Sequence, residues 1–569
     1  MNFPIGISDF EEIVQGDYYF IDKTLLVKEI MDDGAKVILL TRPRRFGKTL
    51  NLSMLYYFLS ETYYNRVNQN LFDGLNISKE MEFCKKHQGQ YPMIFISFKD
   101  IKEDTFTKAY AGIVVLISAL YEQHRYLLEG DLLSESQKNI FTAILNQEAN
   151  EANIKVSIQN LAEYLTKKFK QFPIILIDEY DTPIQQAYLK EYYGDMISLM
   201  RGILGNVLKD NKPNERFLEK AIITGITRVE QESIFSGLNN LEVYSVLEEK
   251  YGQYFGFVEE EVLKLIDDSE QTLPLAPIKE WYNGYQVGKY VLYNPWSIIK
   301  CLKNKGTFEW YWVNTSSNDL IAQLLTDASS TTKLQFEQLL QGGVIERPIS
   351  KNLVFPNLKI QEAALWSLLL YTGYLKVLST RITEFQMLAE LAIPNKEVGF
   401  VYNEIIAGWF SIEKNLDVYK DFIESLINGN VNEFKKQLSS YIMQSGSFFD
   451  FDKTTPEKVF HVFILGLVVG LKKEYIIQSN RESGLGRLDI IFIPKNSKRQ
   501  GMLIEFKTSA TVELLLEKAR EALDQIKDRK YIETFKQHNI SSVLAIGLAF
   551  CGKQLELAHE NISINELEN

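Results

Sequence analysis

Three cysteines and five histidines in 569 residues leave little soft or imidazole chemistry to build with. Cys84, Cys301 and Cys551 stand far apart and lack the close spacing of zinc ligands. That excludes a disulfide scaffold and fits a reducing, cytoplasmic setting. The scattered histidines exclude a histidine-rich metal centre. No charged-then-apolar leader opens the chain, so export by a signal peptide is not expected. The longest apolar run, "HVFILGLVVGL" (461–471), is too short to span a bilayer and is expected to be a buried helix, so no membrane partner is expected. Positive charge is also in deficit. The formal net charge of −12 excludes an all-over basic coat for nucleic acid, though not a local basic groove. Cations do bunch at "KNSKR" (495–499) and "KDRK" (527–530), either as solvated faces or as phosphate contacts. Internal repeats and low-complexity linkers are missing as well.

What is there is an ordinary globular balance, 46% hydrophobic and 24% charged, in a chain long enough for roughly two to four domains. "AKVILLT" (35–41), "YPMIFISF" (91–98), "FPIILID" (172–178) and "KAIITGIT" (220–227) are apolar on both faces. Strands of a covered, mostly parallel sheet read this way, and the helical stretches between them are what crossover connections require. From about 235 to 310 the pattern turns aromatic, which suggests a lid or accessory lobe. "AALWSLLLYTGYLKV" (363–377) reads as helix, glycine turn and strand, compatible with a winged-helix-like unit. Residues 396–445 read as helical. A second α/β pattern follows: a helix at 456–471, strands near 487–493 and 501–506, a helix at 511–528 and a strand at 541–550.

"TRPRRFGKTLNLSML" (41–55) lies between the first strand and an amphipathic helix. A phosphate-binding loop needs inward backbone N–H groups, a helix N-terminus, a lysine for the terminal phosphates and a hydroxyl for magnesium. Gly47, Lys48 and Thr49 supply that ending. The leading glycine is replaced by Arg42, and Pro43 would set the entry turn instead. Arg44, Arg45, Phe46, Gly47, Lys48, Thr49 and Leu50 are the candidate nucleotide-binding set, with Arg44 and Arg45 adding charge to the anion site. The alternative is a basic turn that happens to spell Gly-Lys-Thr. "IILIDEYD" (174–181) favours the nucleotide site, because it ends an apolar strand on Asp178 and Glu179. The aspartate would support magnesium and the glutamate would activate water. Asp181 is expected to cap the next helix, with Pro183 in its first turn. "IITGITRVEQ" (222–231) offers Thr224 or Thr227 to sense the terminal phosphate, and Arg228 as an arginine finger; a plain strand-end turn is the alternative.

These stretches, with "FPIGISDFEEIVQGDYYFIDKTLLVKEI" (3–30) and "WYNGY…YNPWSI" (281–298), resemble the AAA-ATPase-like family of bacterial proteins over roughly the first half of the chain. That family's loop typically reads RPRRFGK, so the missing glycine is its habit. The resemblance implies an AAA-like P-loop ATPase core using ATP and Mg2+.

"SNRESGLGRLDIIFIPKNSKRQGMLIEFKTS" (479–509) carries a second constellation. Asp489 opens one apolar strand, and Glu505 and Lys507 lie two apart on the next. Alternation puts Glu505 and Lys507 on one face, and a hairpin would bring Asp489 to them. Two carboxylates make a hard oxygen site for magnesium or manganese, and a lysine can orient or deprotonate water. A surface salt-bridge ladder is the plainer alternative. Glu457 would add a metal ligand, with His461 one turn on, and Gln525 on the following helix would orient water or phosphate. The arrangement resembles the PD-(D/E)XK nuclease superfamily over roughly 450–555. By that resemblance Glu457, Asp489, Glu505 and Lys507 fall on the motif positions and Gln525 on the trailing helix motif, with His461 and Arg487 at flanking positions.

The expected architecture is therefore α/β: a P-loop NTPase (AAA-like) core at 1–235, a lid at 236–310, a winged-helix-like region at 311–395, a helical connector at 396–450 and a restriction-endonuclease-like α/β domain at 451–569. The expected function is an ATPase joined to a metal-dependent nuclease on nucleic acid, with DNA the expected form and a homo-oligomer left open. A role in defence or mobile-element biology follows by analogy alone. The alternative is an ATP-driven switch whose nuclease-like fold binds nucleic acid or a protein without cutting.

Overall fold

The computed structural model describes residues 2–61, 68–209, 217–228, 235, 238, 240–312, 318–326, 328–340, 342–353, 355–359, 361–410, 416–444, 464, 471, 474–479, 482–483, 486–487, 490–528, 535–536 and 538–564. The chain falls into two compact units, Met1–Leu320 with Glu346–Val398, and Ile321–Ile345 with Gly399–Asn569.

In the first unit the apolar runs become β1 (Val37–Thr41), β2 (Met93–Ser97), β3 (Ile174–Asp178) and β4 (Lys220–Gly225), joined by a fifth strand, β5 (Leu241–Tyr244). They pair in the order β2-β3-β4-β1-β5, every pair parallel. All residues of β1, β3 and β4 are buried, which explains why these runs show no polar alternation. Each fully buried Ile or Leu contributes about 2 kcal/mol of transfer free energy. Because the strands run parallel, Thr41, Ser97, Asp178 and Thr224 all come toward the C-terminal edge of the sheet. In open parallel sheets that edge is where ligands bind.

The aromatic stretch folds as helices Glu259–Asp268, Leu275–Tyr282 and Pro295–Lys303 with the hairpin β6 (Tyr285–Val287) and β7 (Tyr290–Leu292). Their core gathers Val262, Leu265, Tyr282, Tyr293 and Ile298, and Phe3, Tyr19 and Ile21 pack against it. Further on, helix Glu362–Tyr371 leads into a three-stranded sheet of β8 (Ile345–Ile349), β9 (Lys376–Ile382) and β10 (Met387–Ala392). Glu397, at the start of helix Lys396–Phe410, is fully buried. Its carboxylate accepts from Ser297 Oγ at 2.8 and 2.9 Å and from the Trp312 N–H at 2.8 Å. Burial pushes its pKa up to about 7, against the pull of those donors.

The second unit carries a mixed sheet, order β11-β14-β15-β16-β17, from β11 (Tyr475–Ser479), β14 (Ile490–Pro494), β15 (Gly501–Thr508), β16 (Ser542–Cys551) and β17 (Gln554–Ser563). A separate ribbon pairs β12 (Glu482–Ser483) with β13 (Gly486–Arg487). β14 and β15 are antiparallel, whereas β15 and β16 are parallel and connected by helix Leu515–Asp528. Leu523 and Ile526 of that helix pack on Leu503, Val543 and Ala545. Gly547 permits this approach: a Cβ there would lie 2.1 Å from the Ala519 carbonyl oxygen. Helices Leu416–Ile427 and Val431–Gln444 stack Phe422 on Phe434 at 5.3 Å.

Candidate functional site

The turn after β1 brings the loop back as helix Lys48–Leu59, with Gly47 before it at φ 78, the left-handed region that favours glycine. Arg45 also has positive φ, at 65, without being glycine. Lys48 is buried, and its ammonium donates to the carbonyls of Arg42 and Pro43 at 3.0 and 2.9 Å. Burial lowers its pKa, opposed by Glu179, Asp178 and Asp181. Thr49 Oγ1 donates to Asp178 Oδ2 at 2.8 Å, and Thr224 Oγ1 donates to Asp178 Oδ1 at 2.6 Å. Asp178 is raised by burial and lowered again by those two hydroxyls. Glu179 sits at φ 49, a strained conformation for a side-chain-bearing residue, and accepts from Thr182 Oγ1 at 3.1 Å.

A cavity of ≈ 470 Å³ opens onto this loop. It is lined by Arg44, Arg45, Phe46, Gly47, Lys48, Thr49 and Leu50, and by Glu179. Phe46 is buried edge-on to Tyr285, with ring centroids 4.9 Å apart. Arg45 lies over the Trp296 ring at 4.3 Å, and the Trp312 indole donates to the Arg44 carbonyl at 3.3 Å. The lining does not include Thr227 or Arg228. Thr227 gives its hydroxyl and N–H to Asp181, both at 2.9 Å, and the Arg228 carbonyl accepts from Leu353 N–H. Asp181 occupies the N-cap position of helix Thr182–Leu189, with Pro183 in its first turn. Its side chain makes no cap bond there and is spent on Ile226, Thr227 and Gln185.

Arg42 is not a phosphate ligand in this arrangement. Its guanidinium is fully buried, donates to the carbonyls of Thr41, Tyr244 and Lys250, and lies over the Phe255 ring at 5.3 Å. Burial lowers its pKa to about 10. Two cations absent from the sequence-derived set, Lys99 and Lys102, also line the cavity. They directly follow β2, so cations just past a strand end were the available signal.

In the second unit Glu505 and Lys507 lie on β15, paired with Gly547 and Ala549 of β16. Glu505 is 3% exposed and Lys507 half-buried. Leu503, two residues earlier on the same face, packs under helix Leu515–Asp528. Gln525 lies on that helix, and its buried Oε1 has no hydrogen-bond partner among the described residues. Glu457, His461 and Asp489 lie outside the described residues. Asp489 immediately precedes Ile490, which pairs with Ile504, the neighbour of Glu505. Among the described residues no group of three or more His, Cys, Asp or Glu stands together as a metal cluster. Two cations of the basic runs are taken up by carboxylates: Arg499 by Glu474, and Lys527 by Glu560 at 2.5 Å.

Residues 4–235 match the family model described as predicted AAA-ATPase, and residues 455–560 match that of the PD-(D/E)XK nuclease superfamily. An uncharacterized protein from the vnfD 5′ region of Azotobacter chroococcum is 27% identical over 407 residues, 71% of this chain and 69% of that protein. The Walker-type ATPase of Pyrococcus abyssi aligns with TM-score 0.34 and 14% identity, covering 70% of this chain and 98% of that one. Among the described residues, no helix is long and apolar enough to cross a membrane.

Proposed function

We propose that the first unit binds and hydrolyses ATP with magnesium, and that the C-terminal domain is a metal-dependent nuclease acting on nucleic acid, DNA in particular. The observation that carries the ATP reading is the meeting of Thr49, on the loop helix, with Asp178, at the end of β3. A hydroxyl and a carboxylate form a hard oxygen pair suited to Mg2+, and the buried Lys48 ammonium keeps one donor beyond its two loop carbonyls. The cavity is of ordinary size for a small-molecule ligand. Thr49 and Asp178 hold the metal, which when bound screens the charge of the phosphate oxygens. Lys48 binds the terminal phosphates, Arg44 and Arg45 add charge beside them, and Glu179 takes the proton of the attacking water.

In the nuclease, Glu505, with Asp489 and Glu457, would hold Mg2+ or Mn2+. Lys507 would orient the attacking water and Gln525 would bind water or phosphate. A carboxylate and a lysine in an otherwise apolar, buried strand support this reading, because ionic groups near a core are kept for pairing or for work. The cut would relate to defence or mobile elements, with nucleotide state as its control.

The test uses the purified full-length chain. Wild type should hydrolyse ATP with magnesium and Lys48→Ala should not. Wild type should nick DNA or RNA with magnesium or manganese, and the Glu505→Ala, Lys507→Ala double variant should not. If wild type and double variant are equally silent on every nucleic acid, the C-terminal domain is a binding module under nucleotide control.

A further inference from the structure

Two tryptophans hold the arginines of the loop after β1, and one buried carboxylate holds both tryptophans. Arg45 lies over the Trp296 ring at 4.3 Å, and the Trp312 indole N–H donates to the Arg44 carbonyl at 3.3 Å. Arg45 has φ 65, a conformation that a residue with a Cβ keeps only where its surroundings fix it. The Trp296 face against its guanidinium is such a hold. The two tryptophans are also joined to each other. The Trp296 indole donates to the carbonyl of Tyr311, the residue before Trp312, at 3.1 Å.

Glu397 stands behind both. Its Oε1 accepts from the Trp312 backbone N–H at 2.8 Å. Its Oε2 accepts from Ser297 Oγ at 2.8 Å, and Ser297 follows Trp296 in helix Pro295–Lys303. A third loop residue is linked to the same carboxylate. Tyr285 sits edge-on to Phe46; burial raises its pKa and the Glu397 charge raises it further. The donors acting on Glu397 are neutral: the Ser297 hydroxyl and the N–H groups of Tyr311 and Trp312. Lys396, beside it in sequence, is engaged by Glu280 at 2.6 Å. Tyr282, Tyr285, Cys301 and Tyr311 face it, each with its pKa raised by burial and so uncharged near neutrality. A carboxylate buried among neutral donors costs stability in its charged form, so folding alone does not account for it.

We infer that Glu397 is a positioning residue of the nucleotide site: through Ser297 and Trp296, and through Trp312, it fixes Arg44 and Arg45 at the phosphate end of the cavity. This rests on the ATP reading above and adds to that site a residue outside the cavity lining. The two arginines reach the ligand, and Glu397 acts only through them.

The experiment measures ATP affinity by calorimetric titration of the full-length chain with magnesium present. Glu397→Leu removes both acceptor oxygens, and Trp312→Phe removes the indole N–H. Each is made in wild type and in an Arg44→Ala, Arg45→Ala background. In wild type, Glu397→Leu should weaken ATP binding about tenfold and Trp312→Phe about threefold. In the double-alanine background each should change it by less than about twofold, because the groups to be positioned are gone. A residue that merely supports the fold would weaken binding by the same factor in both backgrounds, and that result overturns the inference. So does undiminished affinity in both single variants, or in the double-alanine variant itself. Where Glu397→Leu gives no cooperative melt, or the double-alanine background binds ATP too weakly to titrate, Trp312→Phe in Arg44→Ala alone decides by the same comparison. Wild type that binds ATP while the variants fail these expectations leaves the ATP reading standing. Wild type that does not bind ATP overturns that reading and this inference with it.

Discussion

Thr49 and Asp178 are 129 residues apart in the chain, and the Thr49 hydroxyl donates to the Asp178 carboxylate at 2.8 Å. One residue lies at the start of the loop helix and the other at the end of β3, two strands away from β1 in the sheet. Thr224, from the strand between, holds the other carboxylate oxygen at 2.6 Å. Two parallel strand ends and the loop helix thus set the geometry of a single carboxylate.

Glu179 is the next residue and lines the cavity. Glu179→Gln keeps the shape and removes the proposed base. ATP turnover should fall by about 10²–10⁴-fold while ATP binding changes by no more than a few-fold. Steady-state turnover beside equilibrium titration checks this; a variant that turns over ATP normally would remove Glu179 from the mechanism.

Arg42 predicts a stability effect with no direct part in phosphate binding. Arg42→Met removes the side-chain donor to three backbone carbonyls. The cost should be about 3 kcal/mol, read as a lower denaturant midpoint. An unchanged midpoint would mean that the guanidinium contributes nothing net.

Gly547 is a packing constraint in the nuclease-like domain. In Gly547→Ala the new methyl meets the Ala519 carbonyl oxygen at 2.1 Å and the Leu523 nitrogen at 2.6 Å, both backbone atoms. Helix Leu515–Asp528 must lift from the sheet, at a cost of about 2 kcal/mol or more. Limited proteolysis should then cut after residue 508 faster than in wild type.

Glu397 predicts a pH dependence. Its pKa rises from 4.5 to about 7 on folding, so between those values the folded chain holds a proton that the unfolded chain has released. Stability from this group therefore falls as pH rises through that window, by an order of 3 kcal/mol in all. Glu397→Gln should flatten this part of the profile. Melting temperatures of both proteins at pH 5 and pH 7.5 test it, and parallel profiles would refute it.

The candidate nucleotide loop was legible because its parts are local. A strand, Gly47-Lys48-Thr49 and an apolar helix follow one another, and an apolar run ending in Asp178 needs no long-range information. The destination of Arg42 was hidden, since its acceptors Tyr244 and Lys250 come from β5 and the turn beyond. Lys99 and Lys102 gain meaning only once β2 is known to lie beside β3. β17 was missed because "QLELAHENIS" is partly exposed and more polar than apolar, so it carries little apolar signal. β5 has only four residues.

The order of the first sheet also bears on how the chain is made. β1 is synthesised first, yet its two neighbours are β4 and β5, beginning at Lys220 and Leu241. At about 5–20 residues per second, a ribosome needs on the order of ten seconds or more to deliver them. Through that interval a largely apolar segment, wholly buried in the finished sheet, has no native partner on either side. A nascent chain stopped short of Lys220 should therefore need a chaperone's protection and be unable to organise the loop that holds Lys48.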